Sequence, residues 1–163
     1  MKILFAFIAG VFCVSAQAAQ MFGNWEVSEL KDLRVARVGG AAGSTAGVMC
    51  TPSEKTCSAF ISIDFSCEDG ASYPVMLNSN VGAYSSTGVC ASSGDSYYLL
   101  IDDFNATISA FESGGEVGFA FPLKSGQFRV LRFNCQGATA AIKLARTLPK
   151  TATTPRNPAS QVL

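Results

Sequence analysis

The stretch from Cys57 to Cys67 constrains the fold of this chain more than any other. Its apolar residues fall on odd positions and its polar residues mostly on even ones, with Phe60 as the exception. A two-residue period is typical of a β-strand with one face on a core and the other in water. The predicted core side chains are Ala59, Ile61, Ile63 and Phe65. Because cysteines bracket this face, whatever they bond to is tied to the core strand.

The first 19 residues have the pattern of a secretory signal peptide. Lys2 is followed by an apolar stretch, Ile3–Val14, and by a small-x-small motif that predicts cleavage near Ala18 or Ala19. A membrane anchor is the competing interpretation, but a bilayer span needs about 20 apolar residues and this stretch is shorter. We therefore expect export to the periplasm or beyond, with no transmembrane segment in the mature chain.

Residues 20–148 predict a single β-rich domain. Short alternating runs are separated by turns rich in glycine and serine, a pattern that favours β structure over a helical bundle. The expected fold class is mostly β, a disulfide-stapled antiparallel β-sandwich or barrel. Residues 138–148 fit either a strand or one short C-terminal helix, and their alanines favour the helix. The Pro- and Thr-rich residues 149–163 predict a disordered tail.

Five cysteines remain after removal of the signal peptide, and an odd number leaves at least one thiol over or links two chains. Their spacing favours Cys50 with Cys57 and Cys67 with Cys90, leaving Cys135 free, although sequence does not determine the connectivity. Export makes disulfides the expected use of these residues. Metal binding is not expected, because the chain has no histidine and no Cys-x-x-Cys pair.

The charges are unevenly distributed along the chain. Nine acidic residues lie between Glu54 and Glu116, whereas seven basic residues and no acidic one follow. Cross-strand pairing of opposite charges is one interpretation. The other is an anion-binding face. The residues of that candidate face are Lys124, Arg129 and Arg132. The sequence lacks the interleaved basic and aromatic residues that would indicate a nucleic-acid partner, so no such partner is expected.

The residue types argue against catalysis. Without histidine there is no Ser-His or Cys-His relay. A free Cys135 near Arg129 and Arg132 could be a reactive thiol. However, it continues the alternation of Leu131 and Phe133, which favours a buried core residue. That alternation changes phase after Val130, which predicts a β-bulge. We expect neither an enzyme nor a cofactor.

Two short segments carry a family resemblance. The opening Phe22-Gly23-Asn24-Trp25-Glu26-Val27 and the later Gly118–Gly126 resemble the Gly-x-Trp-x-Val and Pro-Leu-x-x-Gly segments of the invasion-associated locus B proteins. Those are small exported β-rich proteins of Gram-negative bacteria, linked to host-cell invasion. The resemblance implies a β-rich exported protein with a role in host interaction and transfers no active-site residue.

These observations lead to one functional expectation and one alternative. The first is an exported, periplasmic, non-enzymatic protein that binds a protein or another envelope component at the cell envelope. The alternative is a structural or accessory subunit of an envelope assembly, with Cys135 available for interchain contact.

Overall fold

The computed structural model describes residues 19–123 and 125–147. The predicted signal peptide, the predicted tail and Lys124 lie outside these residues, apart from Ala19. Within them, ten antiparallel strands form one sheet in the order β1-β2-β3-β4-β5-β8-β7-β6-β9-β10. The strands are β1 Gln20–Phe22, β2 Trp25–Leu30, β3 Leu33–Gly39, β4 Thr45–Thr51, β5 Thr56–Ile63, β6 Ser72–Ser79, β7 Gly82–Ser93, β8 Ser96–Ile101, β9 Glu116–Pro122 and β10 Phe128–Asn134.

Strand β5 is the core strand that the alternation predicted. Ala59 and Ile61 are fully buried, and Ile63 is nearly so. The strand ends at Ile63, earlier than predicted, although Phe65 beyond it still packs against Phe121. Phe60 is buried on the opposite face, where its ring meets Tyr98 edge-on with the centroids 5.8 Å apart. An aromatic neighbour on the outer face thus explains the exception in the pattern.

Strands β9 and β10 pair without interruption from Phe128 opposite Pro122 to Asn134 opposite Glu116. The predicted β-bulge near Val130 and Leu131 is therefore wrong. The change of phase arises because Phe128 and Val130 are apolar but face outward, 64% and 51% exposed. Exposed apolar residues on an outer strand look like core positions in a sequence.

Two α-helices accompany the sheet in the described residues. Helix α2, Ala138–Arg146, confirms the short C-terminal helix and settles the ambiguity of that segment. Helix α1, Phe104–Glu112, was not predicted. It begins directly after Asp103, whose carboxylate accepts a hydrogen bond from the Ala106 N–H at 3.0 Å. Asp103 is therefore the N-cap of α1, a position that Asp favours.

One aromatic chain crosses the core. Trp25 on β2 lies 5.2 Å from Phe111 on α1, measured between ring centroids. Phe111 lies 5.9 Å from Phe119 on β9, which in turn lies 6.0 Å from Phe133 on β10. Strands from the two ends of the sheet thus reach one core through α1, so the sheet must curve over its own inner face.

The two ends of the sheet meet without pairing as strands. The Asn24 N–H, between β1 and β2, donates to the Gln136 carbonyl after β10 at 3.0 Å. In the described residues β1 and β10 are the two ends of the strand order, so the sheet stays open. This arrangement confirms the mostly β, single-domain antiparallel class, in a sandwich-like rather than a closed form.

Two disulfides staple the sheet, with the pairing that the spacing favoured. Cys50 and Cys57 lie directly opposite each other on β4 and β5, with their Cα atoms 4.1 Å apart. Cys67 lies in the loop after β5 and is bonded to Cys90 on β7, with a Cα separation of 6.1 Å. The second bond therefore ties a loop to a strand, whereas the first closes a hairpin.

Candidate functional site

A polar cleft of about 340 Å³ opens where four segments of the chain converge. They are the turn at 41–45, the end of β5, the start of β8 and the first half of β10. The described lining residues are Ala41, Ala42, Gly43, Ser44, Thr45, Ser62, Ile63, Asp64, Asp95, Ser96, Tyr97, Tyr98, Arg129 and Leu131. Hydroxyl groups, two tyrosines and three charges give this wall many hydrogen-bonding groups.

The turn that forms one wall of the cleft is held in place by its own polar groups. The Ser44 hydroxyl donates to the Ala41 carbonyl at 2.8 Å. The Thr45 N–H donates to the Ser62 hydroxyl on β5 at 2.6 Å. At Gly40 a Cβ atom would lie 2.7 Å from the Phe133 ring, so only glycine lets the turn pass this close to β10. This wall is consequently held against β5 and β10, the strands that supply the facing residues of the cleft.

An ion pair spans the cleft between Arg129 on β10 and Asp64 after β5. Both side chains are well exposed, at 42% and 58%, so solvent screens the pair and it contributes at most about 1 kcal/mol to folding. The Arg129 Nε atom is nevertheless buried and has no hydrogen-bond partner among the described residues. Arg129 therefore lines the cleft, and its ion pair adds little to the stability of the fold.

Arg129 and Arg132, the two candidate anion-binding residues that the structure describes, do not come together. Arg129 faces the inner side of β10, whereas Arg132 faces outward and pairs with Glu116 of β9 at 2.7 Å. Lys124 lies outside the described residues. Arg132 therefore follows the first interpretation of the charges, cross-strand pairing with an acidic residue. Arg129 and Arg132 lie on opposite faces of β10.

Sequence reasoning singled out Arg129 but missed most of its neighbours in the cleft. Asp64 is 65 positions from Arg129 along the chain, and Tyr97 and Tyr98 lie on β8 in the middle of the strand order. The one sequence signal for the cleft was that polar residues cluster at the ends of predicted strands. Nothing in the sequence indicates which strand ends meet.

Cys135 is fully buried, and this corrects two earlier interpretations. Its burial raises the pKa of the thiol to about 12. A thiol that stays neutral and inaccessible is neither reactive nor available for interchain contact in the folded chain. The alternation of Cys135 with Leu131 and Phe133 predicted a core position, and the structure confirms it.

We expect Cys135 to resist iodoacetamide at pH 8 in the folded protein and to react fully once the chain is denatured. Because the folded pKa lies above the ordinary value of 9.0, burial of the thiol stabilises the fold below that pH. The contribution is lost as pH rises toward about 12. Cys135→Ala should flatten this part of the alkaline unfolding profile, and mass spectrometry of labelled protein checks the reactivity. Rapid labelling of the folded protein would contradict the burial.

Two further findings concern the described residues. No group of three or more Cys, Asp or Glu side chains among them is placed to hold a metal ion. Among these same residues, neither helix has the length and apolar character needed to cross a bilayer.

Together these features define the class of the described part of the chain: an open, antiparallel, ten-stranded β structure with two helices, two disulfides and a polar cleft. No protein-family model and no curated protein matches the chain. Among solved structures, it is similar to invasion associated protein B from Bartonella henselae, with a TM-score of 0.56 and 12% sequence identity. The match covers 79% of this chain and 96% of that one. The resemblance read from residues 22–27 and 118–126 is thereby confirmed at the level of the fold.

Proposed function

We propose that this chain is an exported, non-enzymatic binding protein that acts at the cell envelope and holds a polar segment of an envelope protein in the cleft. The observation that carries the proposal is the cleft itself. Four segments distant in sequence converge on it and supply hydroxyls, tyrosine rings and charges of both signs. Tyrosine combines apolar contact area with a hydrogen-bonding group, which suits recognition of a peptide.

Export is supported by the two disulfides, because such bonds persist in oxidising compartments. The N-terminal pattern of residues 1–19 supports the same conclusion. A role in host interaction is the finer proposal. It is supported by a likeness of fold to a protein whose name associates it with invasion.

A binding role fits the chemistry of the cleft better than catalysis does. The chain has no histidine, and Cys135 is buried away from the cleft lining. Asp64 and Asp95 both line the cleft, but Asp64 is engaged by Arg129. General acid and base work would need a second free carboxylate beside Asp95.

Filling the cleft tests this proposal. Ser96 is exposed and lines the cleft, so Ser96→Trp should block it without disturbing the core. Ser58 is exposed on β5 outside the cleft, and Ser58→Trp is the matched control. The mature oxidised protein and both variants are immobilised and incubated with a detergent extract of Gram-negative cell envelopes. The captured proteins are then quantified by mass spectrometry.

The expected result is at least one envelope protein retained by the native chain and by Ser58→Trp but reduced about tenfold or more by Ser96→Trp. A tenfold loss corresponds to about 1.4 kcal/mol, which the loss of a few buried hydrogen bonds supplies. Equal capture by all three proteins would overturn the proposal that the cleft is the binding site.

A structural subunit remains the second candidate, favoured by one observation on the outer face of the sheet. Met76, Val130 and Phe128 are each more than half exposed, and Met76 and Val130 flank Ala120 in one row across β6, β9 and β10. Apolar groups beside a terminal strand suit pairing with a second copy. Light scattering separates the candidates: a dimer dispersed by Val130→Lys favours the subunit, and a monomer at all concentrations favours the binding protein.

A further inference from the structure

The cations of the described residues fall into two groups. Four arginines are ion-paired: Arg34, Arg37, Arg129 and Arg132. The remaining four cations have no carboxylate partner in the part of the chain that the structure describes: Lys31, Lys55, Lys143 and Arg146. Two of these four, Lys55 and Arg146, line the same pocket of about 500 Å³. That pocket lies apart from the polar cleft.

Lys55 is presented by the disulfide-closed hairpin between β4 and β5. The hairpin is tightened by the Glu54 N–H, which donates to the Thr51 carbonyl at 3.0 Å, and by the Lys55 N–H, which donates to the Pro52 carbonyl at 3.2 Å. The φ angle of Lys55 is 57°, in the left-handed region where glycine is the usual residue. A side chain there costs about 1 kcal/mol. The hairpin thus carries a cation at a position where its backbone favours glycine.

Arg146 reaches the pocket from a different element. It is the last residue of α2, and its guanidinium lies 5.6 Å from the centroid of the Phe104 ring. The end of α2 is itself anchored, because Arg34 on β3 donates to the carbonyls of Leu144 at 3.2 Å and Thr147 at 2.5 Å. The two cations are therefore held on one side of the sheet by separate, fixed supports.

The rest of the lining favours an anion. Among the described residues, no carboxylate lines the pocket, and the side chains that accompany the two cations are an aromatic ring, a hydroxyl, a proline and the disulfide. These residues are Phe104, Thr56, Pro52, Cys50 and Cys57. A phosphate group offers several oxygens, to which a guanidinium donates paired hydrogen bonds while an ammonium supplies a compact charge.

We propose that the pocket between the β4–β5 hairpin and the end of α2 binds a phosphate group through Lys55 and Arg146. This site is independent of the polar cleft and does not rest on the proposed function. Either free phosphate or the phosphate headgroup of a lipid supplies the ligand chemistry, and the two sources are separable by experiment.

The test uses glycine to remove the cation without straining the backbone. In Lys55→Gly the charge is lost, while the left-handed conformation becomes easier to adopt. Lys31 is the matched control, because it lies in another hairpin with a φ of 55°, has no ion-pair partner among the described residues and does not line the pocket. For α2, Arg146→Gln is compared with Lys143→Gln, since Lys143 is exposed on the same helix outside the pocket.

Inorganic phosphate is titrated into the mature oxidised chain and followed by NMR amide shifts, with melting temperatures measured in parallel. We expect Lys55→Gly and Arg146→Gln each to weaken phosphate affinity by about tenfold or more. Lys31→Gly and Lys143→Gln should bind as the native chain does. Lys55→Gly should melt at the same or a higher temperature, which separates lost binding from misfolding.

Vesicles identify the source of the phosphate. Binding to phosphatidic acid vesicles that inorganic phosphate competes away, and that Lys55→Gly abolishes, supports a lipid headgroup. Binding of inorganic phosphate alone supports free phosphate. The proposal is overturned if neither binds, or if Lys31→Gly weakens binding as much as Lys55→Gly, since the effect would then be one of general charge.

Discussion

Replacing Phe111 with alanine is expected to lower the free energy of unfolding by about 3–5 kcal/mol. The Phe111 ring is fully buried and lies between Trp25 of β2 and Phe119 of β9, with centroid distances of 5.2 and 5.9 Å. Its loss leaves a cavity at the point where α1 joins strands from opposite ends of the sheet. Close packing prevents the surrounding side chains from filling this space completely.

Phe128→Ala is the control for this prediction, because it removes the same side chain from a site that is 64% exposed. We expect it to change stability by no more than about 0.5 kcal/mol. Chemical denaturation followed by the fluorescence of Trp25, the single tryptophan, measures both variants. Similar small effects in the two would mean that α1 does not pack between the ends of the sheet as described.

The strand framework was predictable because the sequence alternates where one face of the sheet is buried. In β9, Val117, Phe119 and Phe121 are all fully buried, as their period of two indicated. The same rule failed on β10, where Phe128 and Val130 face solvent. Alternation reports which residues are apolar, and it predicts burial only where the outer face is polar.

Helix α1 was missed for a different reason. The segment between Ala106 and Phe111 alternates weakly, and a helical period is hard to recognise within nine residues. The usable signal was Asp103, a residue that caps helix N-termini. The Asp102-Asp103 pair directly follows the apolar run of β8, where it would also suit a strand end, so local sequence alone did not distinguish the two.

The cleft depended on long-range pairing that no local pattern encodes. Asp64 and Arg129 meet because the end of β5 and the first half of β10 line the same cleft, although β8, β7, β6 and β9 lie between these two strands in the strand order. Lys55 and Arg146 line one pocket for a similar reason, since the end of α2 lies beside the β4–β5 hairpin. Sequence reasoning sought an anion site among Lys124, Arg129 and Arg132 because they are close along the chain.

Removing the Cys67–Cys90 disulfide by serine replacement of both residues is expected to cost about 3 kcal/mol of stability, against about 2 kcal/mol for the Cys50–Cys57 bond. The difference arises because the two bonds close 23 and 7 residues of chain. A longer closed loop removes more conformational freedom from the unfolded state. Urea denaturation of the two double variants, both without reductant, measures the two costs.

Native contacts could reverse this order, and that makes the comparison informative. The loop held by Cys67 is also tied to β7 by backbone bonds, since the Gly70 N–H donates to the Cys90 carbonyl at 2.9 Å and the Cys90 N–H donates to the Ala71 carbonyl at 2.8 Å. If these backbone hydrogen bonds keep the loop docked without the disulfide, the stability lost with the Cys67–Cys90 bond stays near the value of about 3 kcal/mol expected from the unfolded chain alone. A larger cost for Cys50–Cys57 would instead show that its hairpin, which carries the strained Lys55, depends on the covalent bond to keep its native conformation.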